Sequence, residues 1–227
     1  MLQTELGRVE SVLMTLEQKR PEVAAHSRRV SAYSVRFASQ FGFDPQEVET
    51  IRVGALLHDV GKLLIPNRIL NKPGRPNARE WRELKIHPEL GVEIAHRCGF
   101  DDDVCHIVLY HHERYDGSGY PDGLAKDQID FKVRIVNVMD TLDALTSARD
   151  YRERLTFESA RSLIVRGVGT QYCPWVVTGL MAMPPEMFAI PAPGGGAAEP
   201  HLEVPGFVPP IDQITQPWQS PTALCAC

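Results

Sequence analysis

The stretch Ala55-Leu56-Leu57-His58-Asp59-Val60-Gly61-Lys62 decides how the rest of the chain is read. An apolar helical run ends in a histidine directly followed by an aspartate, and a glycine and a lysine come soon after. Successive helical residues point about 100° apart, so His58 and Asp59 fan across one edge of the helix. Imidazole beside carboxylate suits a divalent metal, and adjacent donors can serve one ion or bridge two. Lys62 stands four positions after His58 and returns to the same face if the helical path persists. A lone His-Asp pair is also what a surface pair or a helix end looks like, so the flanking sequence has to carry the reading.

Upstream, Asp44-Pro45 reads as an N-cap followed by a first-turn proline, and the helix it opens runs through Val48, Ile51, Val53 and Leu56 to His58 and Asp59. Before it, Pro21 starts a helix over 22–41 in which Val23, Val30, Tyr33, Phe37 and Phe41 recur at helical steps. Glu22 and His26 lie one turn apart on a common face of that helix. By itself His26 reads as a core or half-buried histidine. Further upstream, Leu2, Leu6, Val9, Leu13 and Leu16 make an a/d-type seam. It fits either a helix packed on the core or a coiled-coil stalk that dimerises the protein.

Downstream, Asn71-Lys72-Pro73-Gly74 is a break and Asn77 with Glu80 forms a capping box. That helix leads to His87-Pro88, where the proline begins a new segment. Asp101 to Asp103 cap a helix that ends in His111-His112-Glu113. The following Arg114-Tyr115-Asp116-Gly117-Ser118-Gly119-Tyr120-Pro121-Asp122-Gly123 is a loop rich in specific polar and aromatic groups. Residues 132–147 are helical by pattern, with Asp140 and Asp143 one turn apart. Thr156 caps a helix through Ile164, and another follows from Pro174 to about Met183. His96 and His106 read as structural or surface histidines. No strand-like alternation and no internal repeat stand out, so the fold expected is all-α.

Composition narrows the function classes. The 227 residues fit one domain plus short additions, and a hydrophobic fraction of 43% is ordinary for a globular core. The net charge is −5 with no basic tract, which argues against nucleic acid as the main partner. Five scattered cysteines make neither a CxxC pair nor a disulfide framework, so a reducing cytoplasm is the simplest compartment. The N-terminus carries acids within its apolar pattern and no cleavage site, unlike a signal peptide. No apolar run reaches membrane-spanning length. After Pro184, prolines and glycines dominate, as in a flexible tail. The expected organisation is an N-terminal helix over 1–20, a helical domain over 21–184 and a tail over 185–227.

Glu22, His26, His58, Asp59, His87, His111, His112 and Asp140 make five histidines and three carboxylates, mostly on separate helices of one bundle. Bundles build metal sites in this way. Eight N/O donors suit two or three divalent ions, and the absence of cysteine among them argues against a structural zinc knot.

His58-Asp59 with Lys62, His87, His111-His112-Glu113, Asp116-Gly117-Ser118-Gly119-Tyr120-Pro121 and Asp140 through Asp143-Ala144-Leu145-Thr146-Ser147 resemble the motifs of the HD-GYP family, in the same order. These are bacterial phosphodiesterases of cyclic di-GMP within the HD metal-dependent phosphohydrolases. The resemblance spans roughly residues 20–182 and implies an HD-type helical bundle with the metal site at its centre. It implies His26, His58, Asp59, His87, His111, His112 and Asp140 as metal ligands, with Asp59 bridging. Glu22 matches a glutamate of members that hold a third ion, and iron and manganese are the metals usually associated with the family. Asp59 and Lys62 match catalytic positions. Lys62, Arg149 and Arg152 match positions that contact substrate phosphate. Gly119-Tyr120-Pro121 match the namesake loop near the substrate, which is also implicated in contacts with GGDEF-domain partners.

Three features depart from the family pattern. Cys173-Pro174 opens the last helix where Asp-Pro is common, Glu153 follows Arg152 where a basic residue is common, and the tail after Pro184 has no counterpart. The activity implied is metal-dependent hydrolysis of cyclic di-GMP to linear pGpG, GMP or both. The rivals are an HD phosphohydrolase of another cyclic dinucleotide and a degenerate member that binds ligand or partner without turnover.

Overall fold

The computed structural model describes residues 5–147 and 154–188. Arg149, Arg152 and Glu153 lie outside them, as does the expected tail from residue 189 onward. Among the described residues the chain forms ten α-helices and no strand: α1 (Glu5–Lys19), α2 (Pro21–Gln40), α3 (Pro45–Leu57), α4 (Asn67–Leu70), α5 (Ala78–Lys85), α6 (His87–Arg97), α7 (Asp102–Tyr110), α8 (Phe131–Thr146), α9 (Phe157–Val165) and α10 (Pro174–Ala182). Short 3-10 turns cover Val60–Leu64, Lys126–Gln128 and Pro185–Phe188.

Local chemistry sets most helix starts. Asp44 accepts from the N–H groups of Gln46 and Glu47, and Glu47 returns the bond to the Asp44 N–H. Asn77 and Glu80 do the same at α5. Asp101, Asp130 and Thr156 cap α7, α8 and α9. Each such cap is worth about 1 kcal/mol because it satisfies an N–H with no partner inside its helix. Cys173 makes no side-chain cap at α10.

Helix α3 is the axis of the molecule. Its Ile51 and Ala55 belong to a core with Val30 and Phe37 of α2, Val136 and Met139 of α8, and residues of α9 and α10. Its Val53, Leu56 and Leu57 belong to a second core with Val60, Ala95 of α6 and Val104 and Val108 of α7. From Val53 to Leu57 the helix carries no polar side chain and is buried on all sides. Gly54 lets α7 come close, since a Cβ there would stand 2.6 Å from Ile107 Cδ1. The C-terminal end of α3 therefore opens between two packed halves, and the His-Asp pair sits at that end.

Three sequence expectations are resolved by the packing. The helix stops at Leu57 and the chain tightens to a 3-10 turn over Val60–Leu64, so Lys62 pairs with Asp59 three residues back, not with the His58 face. In a 3-10 turn side chains at i and i+3 eclipse. The α1 seam faces its own chain: Val9 and Leu13 are buried in the second core and Leu16 packs with Val23 and Ala24, while Leu6 is exposed. Of the two readings of the seam, this packing matches the helix packed on the core. The expected tail over 185–227 begins too early, because Phe188 is buried against Tyr33 and Phe157, with ring centroids 5.6 and 4.9 Å away.

Candidate metal centre

Each candidate ligand side chain is delivered by a helix end or a helix face. His58 and Asp59 follow α3, His87 is the first residue of α6, and His111-His112 follow α7. His26 comes from α2 and Asp140 from α8. The backbones approach closely where Gly61 meets α6. A Cβ on Gly61 would collide with the His87 carbonyl oxygen and stand 2.6 Å from Gly91 N. Only glycine lets the Asp59 segment and the start of α6 converge.

Three imidazoles are fixed in one way. Nδ1 of His58 donates to the Ala55 carbonyl at 2.8 Å, Nδ1 of His87 to Leu84 at 2.7 Å, and Nδ1 of His111 to Val108 at 2.8 Å. A carbonyl can only accept, so these bonds put the proton on Nδ1 and leave Nε2 as a lone pair. His26 is oriented differently: its Nδ1 lies 2.7 Å from Asp143 Oδ2.

The donor atoms then gather into two groups, each with ligand atoms within 4.8 Å of one another: Asp59, His87, His111 and His112 in one, and His26, His58 and Asp140 in the other. Asp59 reaches both. Its Oδ1 lies 3.3 Å from His87 Nε2 and 3.8 Å from His111 Nε2. Its Oδ2 lies 3.5 Å from His58 Nε2 and 3.8 Å from His26 Nε2. One carboxylate oxygen thus faces each group, the arrangement a bridging ligand needs.

The residues fit a pair of divalent ions on their own chemistry. His58 Nε2 is buried without a hydrogen-bond partner. His87 Nε2 and His111 Nε2, both lone pairs by the argument above, face each other at 3.3 Å. Buried acceptors left in this way are costly unless a cation sits between them.

The protonation states of three histidines agree. Burial first, then neighbouring imidazoles, pushes His111 well below the usual histidine range. Burial and His87 push His112 down to about 3. Burial also lowers His58, against the pull of Asp59 and Asp140. Neutral imidazole is the metal-binding form. Burial opposes ionisation of Asp59, yet Lys62, His58 and His87 outweigh it and hold the carboxyl well below its usual range. Lys62 Nζ stands 2.5 Å from Asp59 Oδ2. His26 runs the other way: burial opposes its charge, but hydrogen bonds to Asp140 and Asp143 raise it to about 9.

Tyr120 stacks on His112, with ring centroids 4.8 Å apart. Its loop is held from beneath by Glu113, a buried carboxylate whose Oε1 accepts from the N–H groups of Asp122 at 2.8 Å and Gly123 at 2.9 Å. Gly119 is required where the loop folds back, since a Cβ there would stand 2.5 Å from Glu113 Cα. Glu22 is exposed and lies outside both donor groups, one turn before His26. Sequence reasoning assigned no role to Glu113, Asp143 or Arg29. Asp143 carried a usable signal, its position one turn after Asp140.

The chain matches the HD domain family model over residues 10–176. It is 37% identical over 186 residues to the 3′3′-cGAMP-specific phosphodiesterase 2 of Vibrio cholerae, covering 81% of this chain and 36% of that protein. It is 39% identical over 168 residues to a cyclic di-GMP phosphodiesterase response regulator of Xanthomonas campestris, covering 73% of this chain and 44% of that protein. An HDG"Y"P protein from Bdellovibrio bacteriovorus superposes with a TM-score of 0.58 at 26% identity, over 70% of this chain and 51% of that one. The chain thus spans between about a third and a half of these curated relatives. With its ordered His-Asp, His-His and Gly-Tyr-Pro motifs on this bundle, the chain belongs to the HD domain family, in its HD-GYP branch.

Proposed function

We propose that this chain is a metal-dependent phosphodiesterase of cyclic dinucleotides, with cyclic di-GMP as substrate and linear pGpG, GMP or both as product. The observation that carries the reading is the convergence of seven N/O donors into two groups that share Asp59. The relatives' names, one for 3′3′-cGAMP and one for cyclic di-GMP, support the substrate class.

Divalent ions held by His26, His58 and Asp140 on one side and by Asp59, His87, His111 and His112 on the other would polarise the phosphoryl oxygens and lower the pKa of water. Iron and manganese fit a set of imidazoles and carboxylates without thiolate. Asp59 stays ionised beside Lys62, so it can serve both groups. Lys62 adds a fixed positive charge beside the phosphate position, where it can stabilise developing charge or assist the leaving 3′ oxygen. Tyr120 is held neutral, its hydroxyl raised above the usual range first by burial and then by Asp59 and Asp140. It can therefore donate to a phosphate oxygen. Arg149 and Arg152 are proposed as phosphate clamps on the family motif alone, in keeping with guanidinium geometry. Glu22 is proposed as the ligand of a third ion, supported by its place one turn from His26 on α2. The exposed Asp116 and Ser118 beside Gly119-Tyr120-Pro121 leave that loop accessible to a GGDEF-domain partner.

No helix among the described residues is long and apolar enough to cross a membrane. The test is turnover of cyclic di-GMP, 3′3′-cGAMP and cyclic di-AMP by protein loaded with Mn²⁺ or anaerobically with Fe²⁺. Cleavage of cyclic di-GMP that stops in Asp59→Ala is expected. Binding of the dinucleotide without cleavage under both loadings would favour the non-catalytic rival.

A further inference from the structure

Helix α5 has no buried residue, although it leads directly into the ligand His87. Trp81 on this helix is 45% exposed. Lys85, one turn further on, holds its Nζ 5.9 Å from the Trp81 ring centroid and 4.7 Å from the Tyr120 ring centroid. Tyr120 in turn stacks on His112. An unbroken path of rings and one ammonium therefore runs from a metal-ligand position to an exposed indole. Lys85 takes part in no ion pair among the described residues, so its charge is not spent on a carboxylate.

Core packing does not account for an exposed indole beside a half-buried ammonium. It does match what a purine needs. Flat aromatic faces stack on every base, and a lysine discriminates between purines. Guanine offers two acceptors, O6 and N7, on one edge, and an ammonium can donate to both. Adenine offers N7 beside the N6 amino group, which meets the ammonium donor to donor. In a cyclic dinucleotide each base is one sugar away from a phosphate, so phosphate held at the metal centre puts a base within reach of the rim.

We infer that Trp81 and Lys85, backed by Tyr120, form a guanine-selective subsite in which one base of the cyclic dinucleotide stacks on the indole and presents O6 and N7 to Lys85 Nζ. The inference rests on the cyclic dinucleotide reading above and names the base that this rim selects. A substrate with at least one guanine can use the subsite, whereas cyclic di-AMP cannot.

The experiment uses the full chain loaded with Mn²⁺ and compares wild type, Trp81→Ala, Trp81→Phe and Lys85→Ala. Trp81→Ala should raise KM for cyclic di-GMP about tenfold with kcat within about twofold, and Trp81→Phe should restore most of the loss because a ring remains. Lys85→Ala should act on selectivity: the kcat/KM ratio of cyclic di-GMP over cyclic di-AMP should fall about tenfold towards unity. Quenching of tryptophan fluorescence by cyclic di-GMP is measured in parallel, with Trp81→Phe as the blank for Trp175 and Trp218. It should vanish in that blank. Thermal melts of the variants should match wild type, since neither side chain is buried. Wild-type KM in Trp81→Ala with an unchanged base ratio in Lys85→Ala would overturn the subsite and leave the proposed activity standing. Absence of turnover in wild type would overturn the activity, and the quenching experiment would then judge the subsite alone.

Discussion

Arg29 and Asp143 meet side by side, Nε to Oδ1 at 2.6 Å and Nη2 to Oδ2 at 3.0 Å, and the same carboxylate holds His26 Nδ1 at 2.7 Å. This relay does for His26 what backbone carbonyls do for His58, His87 and His111. Ser147 adds a hydroxyl to Asp143 Oδ1 at 3.1 Å. Asp143→Ala should therefore weaken metal binding in the His26 group by about 10- to 100-fold and spare the His87 group. Metal titration followed by two-site fitting checks this. Equal weakening of both sites would show general disruption and not loss of His26 orientation.

Asp59→Ala should abolish turnover and reduce bound metal by more than one ion per chain, because each oxygen faces a different donor group. His58→Ala should lose turnover but a smaller share of the metal. Elemental analysis after identical loading separates the two, and a full complement in Asp59→Ala would contradict bridging.

Glu22→Gln addresses the ion count. Glu22 stands outside both donor groups, so two ions should stay bound in the variant, and a third, where wild type carries one, should be lost. Identical content in wild type and variant would leave Glu22 a first-turn acid favoured by the helix dipole.

Metal-free protein should lose stability as the pH falls from 7 to 5. His58, His111 and His112 have folded pKa values below the unfolded value near about 6.5, so the unfolded chain binds more protons in that window and acid favours unfolding. His26 opposes them: its folded pKa of about 9 gives stability that is complete below the unfolded value and fades as the pH rises through 9. Three histidines outweigh one on the acid side. Urea midpoints at pH 7 and 5 in chelator test the sign, and a higher midpoint at pH 5 would reverse it.

The parts of the fold legible in the sequence were those set by neighbours along the chain. Asp44, Asn77 and Thr156 announce helix starts because a cap bonds to N–H groups two or three residues away. His58-Asp59 and His111-His112 could be found by adjacency. His26 was indistinguishable from a core histidine by spacing, and only the order of the family motifs singled it out. The Arg29–Asp143 relay was hidden because its partners are 114 residues apart. The face of Lys62 depends on whether the helical path persists, and nothing local marks the change from α to 3-10 path. Phe188 was lost in a proline-rich run whose composition masks one anchoring ring.

The contact between Gly61 and the carbonyl of His87 works as a main-chain calliper. Because no side chain lies between the two segments, the gap between Asp59 and His87 cannot widen by a rotamer change. Such a gate should sort cations by size. Calcium, which needs six to eight oxygens at about 2.3–2.6 Å, finds mostly nitrogens at a fixed span. Smaller transition ions, which accept imidazole nitrogen, suit this donor set better. In this protein, ion selectivity would follow from a residue that touches no ion, and a methyl group added at position 61 should alter it by forcing the Asp59 and His87 segments apart.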